Sequence, residues 1–276
     1  MKKLYLSDLD GTLFTTKKQL TDRSIQLLNE CMDAGASFGV ATARMPYGCD
    51  YRLEGLHLTA PSILTNGVFL YDFETETYLS IKTMKKSAVI QVFSIFEQFQ
   101  TGVFLYTFAE NKISIHYNQS MLTEQTQYYS DRALQKCSIV AYHENLSPLV
   151  GDDNTVYLAC TGPKAELEPI HTVIQDIAGV SCAFYLNIYN GLYCIEIFSD
   201  QATKKNALLE LKKRLNCEEV IVFGDNLNDL SMMEVADRSY AVENALDEVK
   251  RAATGVIAGC NEDGVARFMH DEIFQF

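Results

Sequence analysis

The sequence is short of positive charge. It has 23 lysines and arginines against 36 aspartates and glutamates, which gives a formal net charge of −13. A nucleic-acid backbone is recognised by a basic surface, and the largest basic group here is spread along one predicted helix, at Lys204, Lys205, Lys212, Lys213 and Arg214. The composition therefore argues against a nucleic-acid-binding protein.

Cysteine and histidine motifs for metal binding are missing as well. The eight cysteines contain no Cys-x-x-Cys pair and the five histidines are dispersed, which disfavours a zinc site. No apolar run approaches the roughly 20 residues of a membrane-spanning helix. Because the sequence also begins without an apolar leader, we expect a cytoplasmic protein with reduced thiols and no membrane partner.

Buried strands alternate with helices at both ends of the chain. Apolar stretches predict strands at residues 3–7, 37–41, 62–65, 220–223 and 239–242. Thr21 or Asp22 can cap a helix after the first of them. This order is typical of a parallel sheet with helices on its faces. The length of 276 residues and the 47% apolar content suffice for two domains, and we expect an α/β protein with a Rossmann-like core.

The middle of the chain has a different pattern. From about residue 83, a helix is followed by paired strands, and further helices and strands come after them, including a helix predicted at 120–134. Paired strands beside helices are typical of an α+β unit with an antiparallel sheet. We therefore expect residues 83–192 to form an inserted α+β domain, and residues 1–82 with 193–276 to form the core.

Two aspartates follow the first predicted strand. Asp8 and Asp10 are two residues apart, so both side chains leave extended chain on the same side, and Gly11 permits a sharp turn. At 4 Å, two such charges repel by about 4 kcal/mol at an effective dielectric near 20, so a cation or a shared proton is expected between them. Oxygen ligands favour Mg2+. An ordinary acidic turn that closes a strand has the same local pattern.

Further polar residues follow other predicted strands. Thr42 comes after the second strand and Asn66 after the third. In open parallel sheets, ligands bind beyond the carboxyl ends of the strands. We therefore expect Thr42 and Asn66 to converge with Asp8 and Asp10 at one edge of the sheet.

The stretch Asp8-Leu9-Asp10-Gly11-Thr12 resembles the first motif of the haloacid dehalogenase superfamily of phosphotransferases. The other motifs of that family follow in order, at Thr42, at Lys204, and at Gly224-Asp225 with Asn228-Asp229. The pattern is most similar to that of the Cof-type phosphatases with a large α/β cap, type IIB. The resemblance of the core covers residues 1–82 and 193–276, whereas residues 83–192 match the cap by size and position alone.

The resemblance implies a Mg2+-dependent phosphatase of small phosphorylated metabolites. Asp8 would be the nucleophile that forms an aspartyl-phosphate, and Asp10 would be the general acid and base. The metal ligands would be Asp8, the backbone carbonyl of Asp10, and Asp225, with Asp229 acting through water or orienting the other ligands.

The same resemblance implies residues for phosphate and substrate. Thr42 and Lys204 would bind the phosphate. The candidate substrate-binding residues are Arg44, Asn66, Gly67 and Asn228. Two positions depart from the family pattern, because Ala43 and Lys205 each stand where glycine is usual.

Other functions have the same sequence features. A phosphomannomutase-like phosphotransferase would share the fold, and a non-enzymatic sensor of phosphorylated metabolites could bind its ligand through the same residues. In the inserted domain, Tyr185, Asn187, Tyr189 and Asn190 are candidates for selecting the substrate, although a hairpin with packing tyrosines fits them equally well. Sugar phosphates, pyridoxal phosphate and flavin nucleotides all stay open as substrates.

Overall fold

The computed structural model describes residues 2–119, 136–187 and 191–274. These residues divide into two compact units, Met1–Ser80 with Thr203–Phe276, and Ile81–Ala202. The predicted helix at 120–134 lies outside the described residues, as do Tyr189 and Asn190. No helix in the described ranges is both long and apolar enough to cross a membrane.

Strands and helices are numbered in chain order. The strands are β1 (Lys3–Ser7), β2 (Ser37–Val40), β3 (Ser62–Leu64), β4 (Phe69–Asp72), β5 (Thr77–Ile81), β6 (Phe104–Ala109), β7 (Lys112–Tyr117), β8 (Ile139–Tyr142), β9 (Thr155–Gly162), β10 (Val180–Leu186), β11 (Tyr193–Ser199), β12 (Glu219–Gly224), β13 (Arg238–Val242) and β14 (Gly255–Ile257). The helices are α1 (Asp22–Asp33), α2 (Pro46–Cys49), α3 (Lys86–Gln98), α4 (Lys164–Ile174), α5 (Lys204–Leu215), α6 (Leu230–Met233), α7 (Asp247–Ala252) and α8 (Gly264–Phe274).

The first unit is built on a parallel five-stranded sheet with the order β14-β13-β12-β1-β2. Strands β1 and β12 lie inside it and are buried almost throughout, which is the pattern of a parallel sheet covered on both faces. Helix α1 begins after Thr21, whose hydroxyl accepts a hydrogen bond from the Ser24 N–H at 2.9 Å. The N-cap predicted at Thr21 or Asp22 is therefore Thr21.

The predicted strand at 62–65 does not extend this parallel sheet as a full member. Strand β3 pairs antiparallel with β4 in a separate sheet of order β3-β4-β5, and a single parallel bridge joins Ala41 to Ile63. The cause is local, because Thr65, Asn66 and Gly67 all have positive φ angles, of 52°, 53° and 104°. Three successive left-handed residues reverse the chain, so β4 returns beside β3.

The second unit contains a six-stranded sheet of order β10-β11-β9-β6-β7-β8, antiparallel except for the pair β7-β8. The prediction that the core resumes at Tyr193 is wrong at this point, because β11 lies between β10 and β9 in this sheet. Its residues alternate, with Ile195 and Ile197 fully buried and Glu196 half-buried between them. That period of two is typical of an antiparallel strand rather than a central parallel one.

Helices α3 and α4 pack on one face of the second sheet. The cluster they form with it contains Val92 and Phe96 from α3, Leu167 from α4, and Leu158 and Ile195 from the sheet. Neighbouring residues along each strand point to the opposite face. The predicted fold class, an α/β protein with a parallel core and a separate second sheet, is confirmed.

Candidate active site

Asp8 stands directly after β1, at the carboxyl end of the parallel sheet. Its N–H continues the ladder by donating to the carbonyl of Phe223 at 3.0 Å, and its side chain is buried. Gly11, three residues later, has a φ of +84°, and a Cβ at this position would come within 2.5 Å of Asp225 Oδ2. Glycine is therefore required there both for its backbone conformation and for the close approach of Asp225.

Lys204 joins two of the aspartates. Its Nζ donates to Asp8 Oδ1 at 2.8 Å and to Asp229 Oδ1 at 2.7 Å. Lys204 is 1% exposed and Asp229 is 0% exposed, so this ionic group is shielded from water. Burial lowers the pKa of Lys204, but the two carboxylates outweigh it and the net shift is upward, which keeps the ammonium charged. The first position of α5 fixes this lysine, because Thr203 caps that helix.

Asp229 also holds the loop that follows β12. Its Oδ2 accepts hydrogen bonds from the backbone N–H groups of Asp225 and Asn226, each at 3.0 Å. Thr12 donates from its hydroxyl to Asp225 Oδ1 at 2.8 Å. Thr12 of the first motif therefore positions the Asp225 side chain, and backbone N–H groups of its own loop position the Asp229 side chain.

Asp8, Asp225 and Asp229 form a cluster that could hold a metal ion. Each offers a carboxylate oxygen, and these oxygens lie within 4.8 Å of one another. Burial raises the pKa of Asp225 to about 6, and the Asp229 charge also raises it although Thr12 lowers it. Burial likewise raises the pKa of Asp8, against the lowering effect of Lys204. Three carboxylates face one ammonium, so a divalent cation fits both the charge and the oxygen donors.

The side chain of Asp10 is engaged elsewhere. Arg44 binds it with two parallel hydrogen bonds, Nε to Oδ2 at 2.6 Å and Nη2 to Oδ1 at 2.7 Å. Lys18 Nζ lies 3.9 Å from Oδ1. Burial raises the pKa of Asp10, but Arg44 above all, with Lys18 and Arg52, produces a net lowering. Asp10 is therefore held in its ionised form in this structure.

Arg44 was predicted to bind substrate, and the structure places it on Asp10. Sequence reasoning did not pair these two residues, although their opposite charges at the ends of adjacent strands β1 and β2 were a usable signal. The third arginine nitrogen, Nη1, donates to the Gly48 carbonyl at 3.1 Å and fixes the guanidinium. Thr42 is also buried, and its Oγ1 accepts the Arg44 N–H at 3.2 Å.

The remaining predicted substrate residues lie together on two neighbouring loops. Asn228 Nδ2 donates to Asn66 Oδ1 at 3.2 Å. Gly67 packs against the helix cap, where an added Cβ would lie 2.4 Å from the Thr203 carbonyl oxygen. Glycine at position 67 is therefore needed for close packing against Thr203. The side-chain amides of Asn66 and Asn228 contact each other.

Several residues that support the site were given no role from the sequence. Thr12 orients Asp225, and Asn244 Nδ2 donates to the Gly11 carbonyl at 2.7 Å. Lys18 and Arg52 add positive charge near Asp10. Such contacts join residues far apart in the sequence, and a short motif does not show which distant residue each of its side chains contacts.

The two residues that depart from the family pattern are both accessible to solvent. Ala43 is exposed. Lys205 points to the surface and pairs with Glu234 at 3.0 Å. Neither side chain enters the group formed by Asp8, Lys204 and Asp229.

Comparison with known proteins identifies the family. A model of haloacid dehalogenase-like hydrolases matches residues 5–269. The pyridoxal phosphate phosphatase of Escherichia coli (strain K12) is 24% identical over 96% of this chain and 97% of its own length. The 5-amino-6-(5-phospho-D-ribitylamino)uracil phosphatase of Bacillus subtilis (strain 168) is 24% identical over 96% and 95%.

The solved structures agree on the fold. A haloacid dehalogenase-like hydrolase from Bacteroides thetaiotaomicron superposes with a TM-score of 0.79 at 22% identity, over 99% of this chain and 100% of its own. The family model spans both the first motif at Asp8 and the carboxylates at Asp225 and Asp229. The chain therefore belongs to the haloacid dehalogenase-like hydrolase family.

Proposed function

We propose that this protein is a Mg2+-dependent phosphatase that hydrolyses small phosphorylated metabolites through an aspartyl-phosphate. The observation that carries the proposal is the buried group in which Lys204 bridges Asp8 and Asp229 while Asp225 adds a third carboxylate. A cluster with this excess of buried negative charge is costly for folding, which is a common property of functional sites.

The metal would be held by Asp8, Asp225 and the backbone carbonyl of Asp10, with Asp229 orienting the others. When bound, Mg2+ would neutralise charge on the phosphate and on the attacking carboxylate. The donors are all oxygen and their surplus charge matches a small divalent cation. The cytoplasmic setting is a further prediction, and all eight cysteines are unpaired thiols.

The protein residues divide the reaction into two steps. A carboxylate oxygen of Asp8 forms a bond to phosphorus as the bond from phosphorus to the leaving oxygen breaks, and Asp10 gives its proton to that oxygen. Water then attacks phosphorus, Asp10 takes the proton, and the bond to Asp8 breaks. Thr42 and Lys204 stabilise the phosphate charge in both steps.

Arg44 would control whether the Asp10 carboxyl group is ionised or protonated. While Arg44 binds both of its oxygens, Asp10 is ionised, which suits the second step but not the first. A phosphate dianion competes with Asp10 for the guanidinium, because Arg binds phosphate through the same pair of N–H groups. Substrate binding would thus release Asp10 and raise its pKa, so that it can act as an acid.

The named relatives support a small phosphorylated metabolite as the substrate. The relative from Escherichia coli acts on pyridoxal phosphate, and the one from Bacillus subtilis acts on a phosphorylated ribitylaminouracil. Both substrates are phosphate esters of small nitrogen-containing ring compounds.

The test is phosphate release from a panel of phosphomonoesters, with and without Mg2+, for the wild type, Asp8→Asn and Asp33→Asn. Asp8→Asn removes the nucleophile, and we expect at least a 10⁴-fold loss of kcat, on the order of what removal of a catalytic nucleophile costs elsewhere. Asp33 is an exposed carboxylate at the end of α1, and its replacement should leave kcat unchanged.

Three outcomes would contradict the proposal. Full activity of Asp8→Asn would remove the covalent mechanism. Phosphate transfer between positions of a bisphosphate without net release would favour the mutase. A folded wild type that binds the esters without releasing phosphate would favour the sensor.

A further inference from the structure

The turn that follows β13 contacts two loops of the candidate active site. The Asn244 side chain donates from Nδ2 to the Gly11 carbonyl at 2.7 Å, and the Leu246 N–H donates to the Asp225 carbonyl at 3.0 Å. Gly11 lies in the loop after β1, and Asp225 follows β12 directly. All four residues belong to the first unit. This one turn therefore fixes the two loops that carry the carboxylates relative to each other.

Two backbone groups orient the Asn244 amide. Its Oδ1 accepts a hydrogen bond from the Cys260 N–H at 2.9 Å, while its Nδ2 donates to the Gly11 carbonyl. A backbone N–H can only donate and a backbone carbonyl can only accept, so the two ends of the amide cannot be exchanged. Asparagine supplies the donor and the acceptor that this position needs, whereas aspartate at neutral pH supplies acceptors alone.

The peptide between Gly11 and Thr12 depends on such a contact. Glycine populates positive and negative φ angles about equally, so hydrogen bonds have to select one orientation of the peptide beside it. The φ angle of Gly11 is +84°. The Thr12 N–H donates to the Leu9 carbonyl at 3.3 Å, and Asn244 binds the oxygen of the same peptide. The peptide is therefore held at both its nitrogen and its oxygen.

Both residues of this peptide contact Asp225. The Thr12 hydroxyl donates to Asp225 Oδ1 at 2.8 Å, and a Cβ added to Gly11 would come within 2.5 Å of Oδ2. Rotation of the peptide would change both contacts, because the peptide links the Gly11 Cα to the Thr12 Cα. The orientation that Asn244 holds therefore sets the position of one carboxylate in the cluster that could hold a metal ion.

We propose that Asn244 is a positioning residue that raises the affinity of this cluster for Mg2+ by holding the Gly11–Thr12 peptide beside Asp225. The inference rests on the proposed function, since it concerns the ion that the phosphatase would use. Groups that orient metal ligands directly change metal affinity or activity by about 10- to 100-fold. Asn244 is exposed and acts through Thr12, so we expect about 3- to 10-fold, the range of one neutral hydrogen bond.

Asn244→Asp tests this role with almost no change in shape. The carboxylate keeps an acceptor for the Cys260 N–H but has no N–H for the Gly11 carbonyl. Calorimetric titration with Mg2+, without any phosphate ester, should give a Kd about 3- to 10-fold higher than that of the wild type. The negative charge of the aspartate would by itself attract a cation, so weaker binding is not a result of that charge.

Asn261→Asp is the matched control. Asn261 is exposed and follows Cys260 in the chain, and its Oδ1 accepts hydrogen bonds from the Thr16 N–H at 3.1 Å and hydroxyl at 3.2 Å. Aspartate keeps both bonds and adds the same charge, so binding of Mg2+ should not be weakened. Asn244→Ala removes both hydrogen bonds of the amide without adding charge, and it should weaken binding as Asn244→Asp does.

Phosphate release supplies a second readout. In Asn244→Asp, the Mg2+ concentration for half-maximal release should rise by the same factor as the Kd. The value of kcat at saturating Mg2+ should stay close to that of the wild type, because the bound ion then holds the Asp225 carboxylate. A purely structural role of Asn244 would lower stability, measured by urea unfolding, without this shift in the Mg2+ requirement.

The titration decides the inference without turnover. An unchanged Kd in Asn244→Asp, or an equal loss of affinity in Asn261→Asp, would overturn it whether or not esters are hydrolysed. A wild type that binds no Mg2+ would overturn it as well. If the wild type binds Mg2+ but no ester is hydrolysed, the proposed function fails, while a higher Kd in Asn244→Asp still supports the positioning role.

Discussion

The two ends of the parallel sheet carry ionic clusters that differ in their balance of acidic and basic side chains. The carboxyl-end cluster consists of Asp8, Lys204, Asp225 and Asp229. The amino-end cluster consists of Lys3, Glu219 and Arg238, the first residues of β1, β12 and β13, with Glu272 of α8. Three acids face one base in the first cluster, whereas two acids face two bases in the second.

The clusters also differ in exposure and in their effect on pKa. Side chains of the amino-end cluster are 16–36% exposed, whereas Lys204 and Asp229 are almost completely buried. At the carboxyl end, burial raises the pKa of Asp225. At the amino end, burial also raises the pKa of Glu272, but hydrogen bonds from Arg238 and Lys3 outweigh it and lower the net value. A half-exposed cluster with equal numbers of acids and bases stabilises the fold. A buried cluster with an excess of acids is instead suited to binding a cation.

Lys204→Met should cause the largest loss of stability, because it removes the base of the carboxyl-end cluster. The change leaves Asp8 and Asp229 buried without their ammonium, and loss of one partner from a buried ion group costs about 3–5 kcal/mol. Urea unfolding in chelator-treated buffer measures the loss, and phosphate release should vanish as well. Lys205→Met is the matched control, because its exposed pair with Glu234 contributes about 0–1 kcal/mol. Equal stability of the two variants would show that the carboxyl-end cluster is not an ionic unit.

Asp10→Asn should separate metal binding from catalysis. The amide keeps the backbone carbonyl but cannot donate a carboxyl proton, so kcat should fall by about 10²- to 10⁴-fold. Calorimetric titration with Mg2+ should give an affinity close to that of the wild type. Wild-type turnover in Asp10→Asn would exclude it as the acid and base.

Mg2+ should stabilise the protein through the carboxyl-end cluster. At about 100 times the Kd, a ligand that binds the folded state alone adds about 2.7 kcal/mol to the free energy of unfolding. Thermal melting with and without Mg2+ should show this increase in the wild type and in Glu272→Gln. Asp225→Asn should lose most of it. An equal increase in all three proteins would place the ion outside this cluster.

Glu272→Gln should have the smallest effect, a loss of about 1 kcal/mol at pH 7, because the cluster is half-exposed. In the wild type, the pKa of Glu272 is lowered in the folded state. The stability that Glu272 contributes is therefore present above its pKa in the unfolded chain and is lost as the pH falls through its pKa in the folded protein. Urea unfolding at pH 7 and at successively lower pH should show the difference from the wild type shrinking.

The contribution of Asp225 to stability should change with pH in the direction opposite to that of Glu272. The pKa of Asp225 is raised to about 6, above the value of 3.8 for an ordinary aspartate. Its ionisation therefore costs stability above pH 6 in metal-free protein, and the cost disappears as the pH falls to 3.8. Asp225→Asn should be more stable than the wild type at pH 7 without Mg2+. A less stable variant there would contradict the raised pKa.

Much of the carboxyl-end cluster could be predicted because strand ends are visible in the sequence. Asp8 and Asp225 each follow an apolar run, and parallel strands bring their carboxyl ends to one edge. The pairing of Arg44 with Asp10 was missed, since both residues had been given other partners. The amino-end cluster was missed for a different reason, because Lys3, Arg238 and Glu272 carry no motif and meet through α8.

The sequence by itself determined the local elements of this protein, including the apolar strands β1 and β12, a helix cap at Thr21 or Asp22, and the aspartates at strand ends. These depend on the period of apolar residues and on interactions within a few residues. Tertiary structure decided that β11 joins the second sheet, that β3 turns back onto β4, and that Glu196 lies between two alanines. Strand pairing joins residues that are distant in the chain, and the free energy that selects one partner over another comes from packing that exists only once the fold has formed.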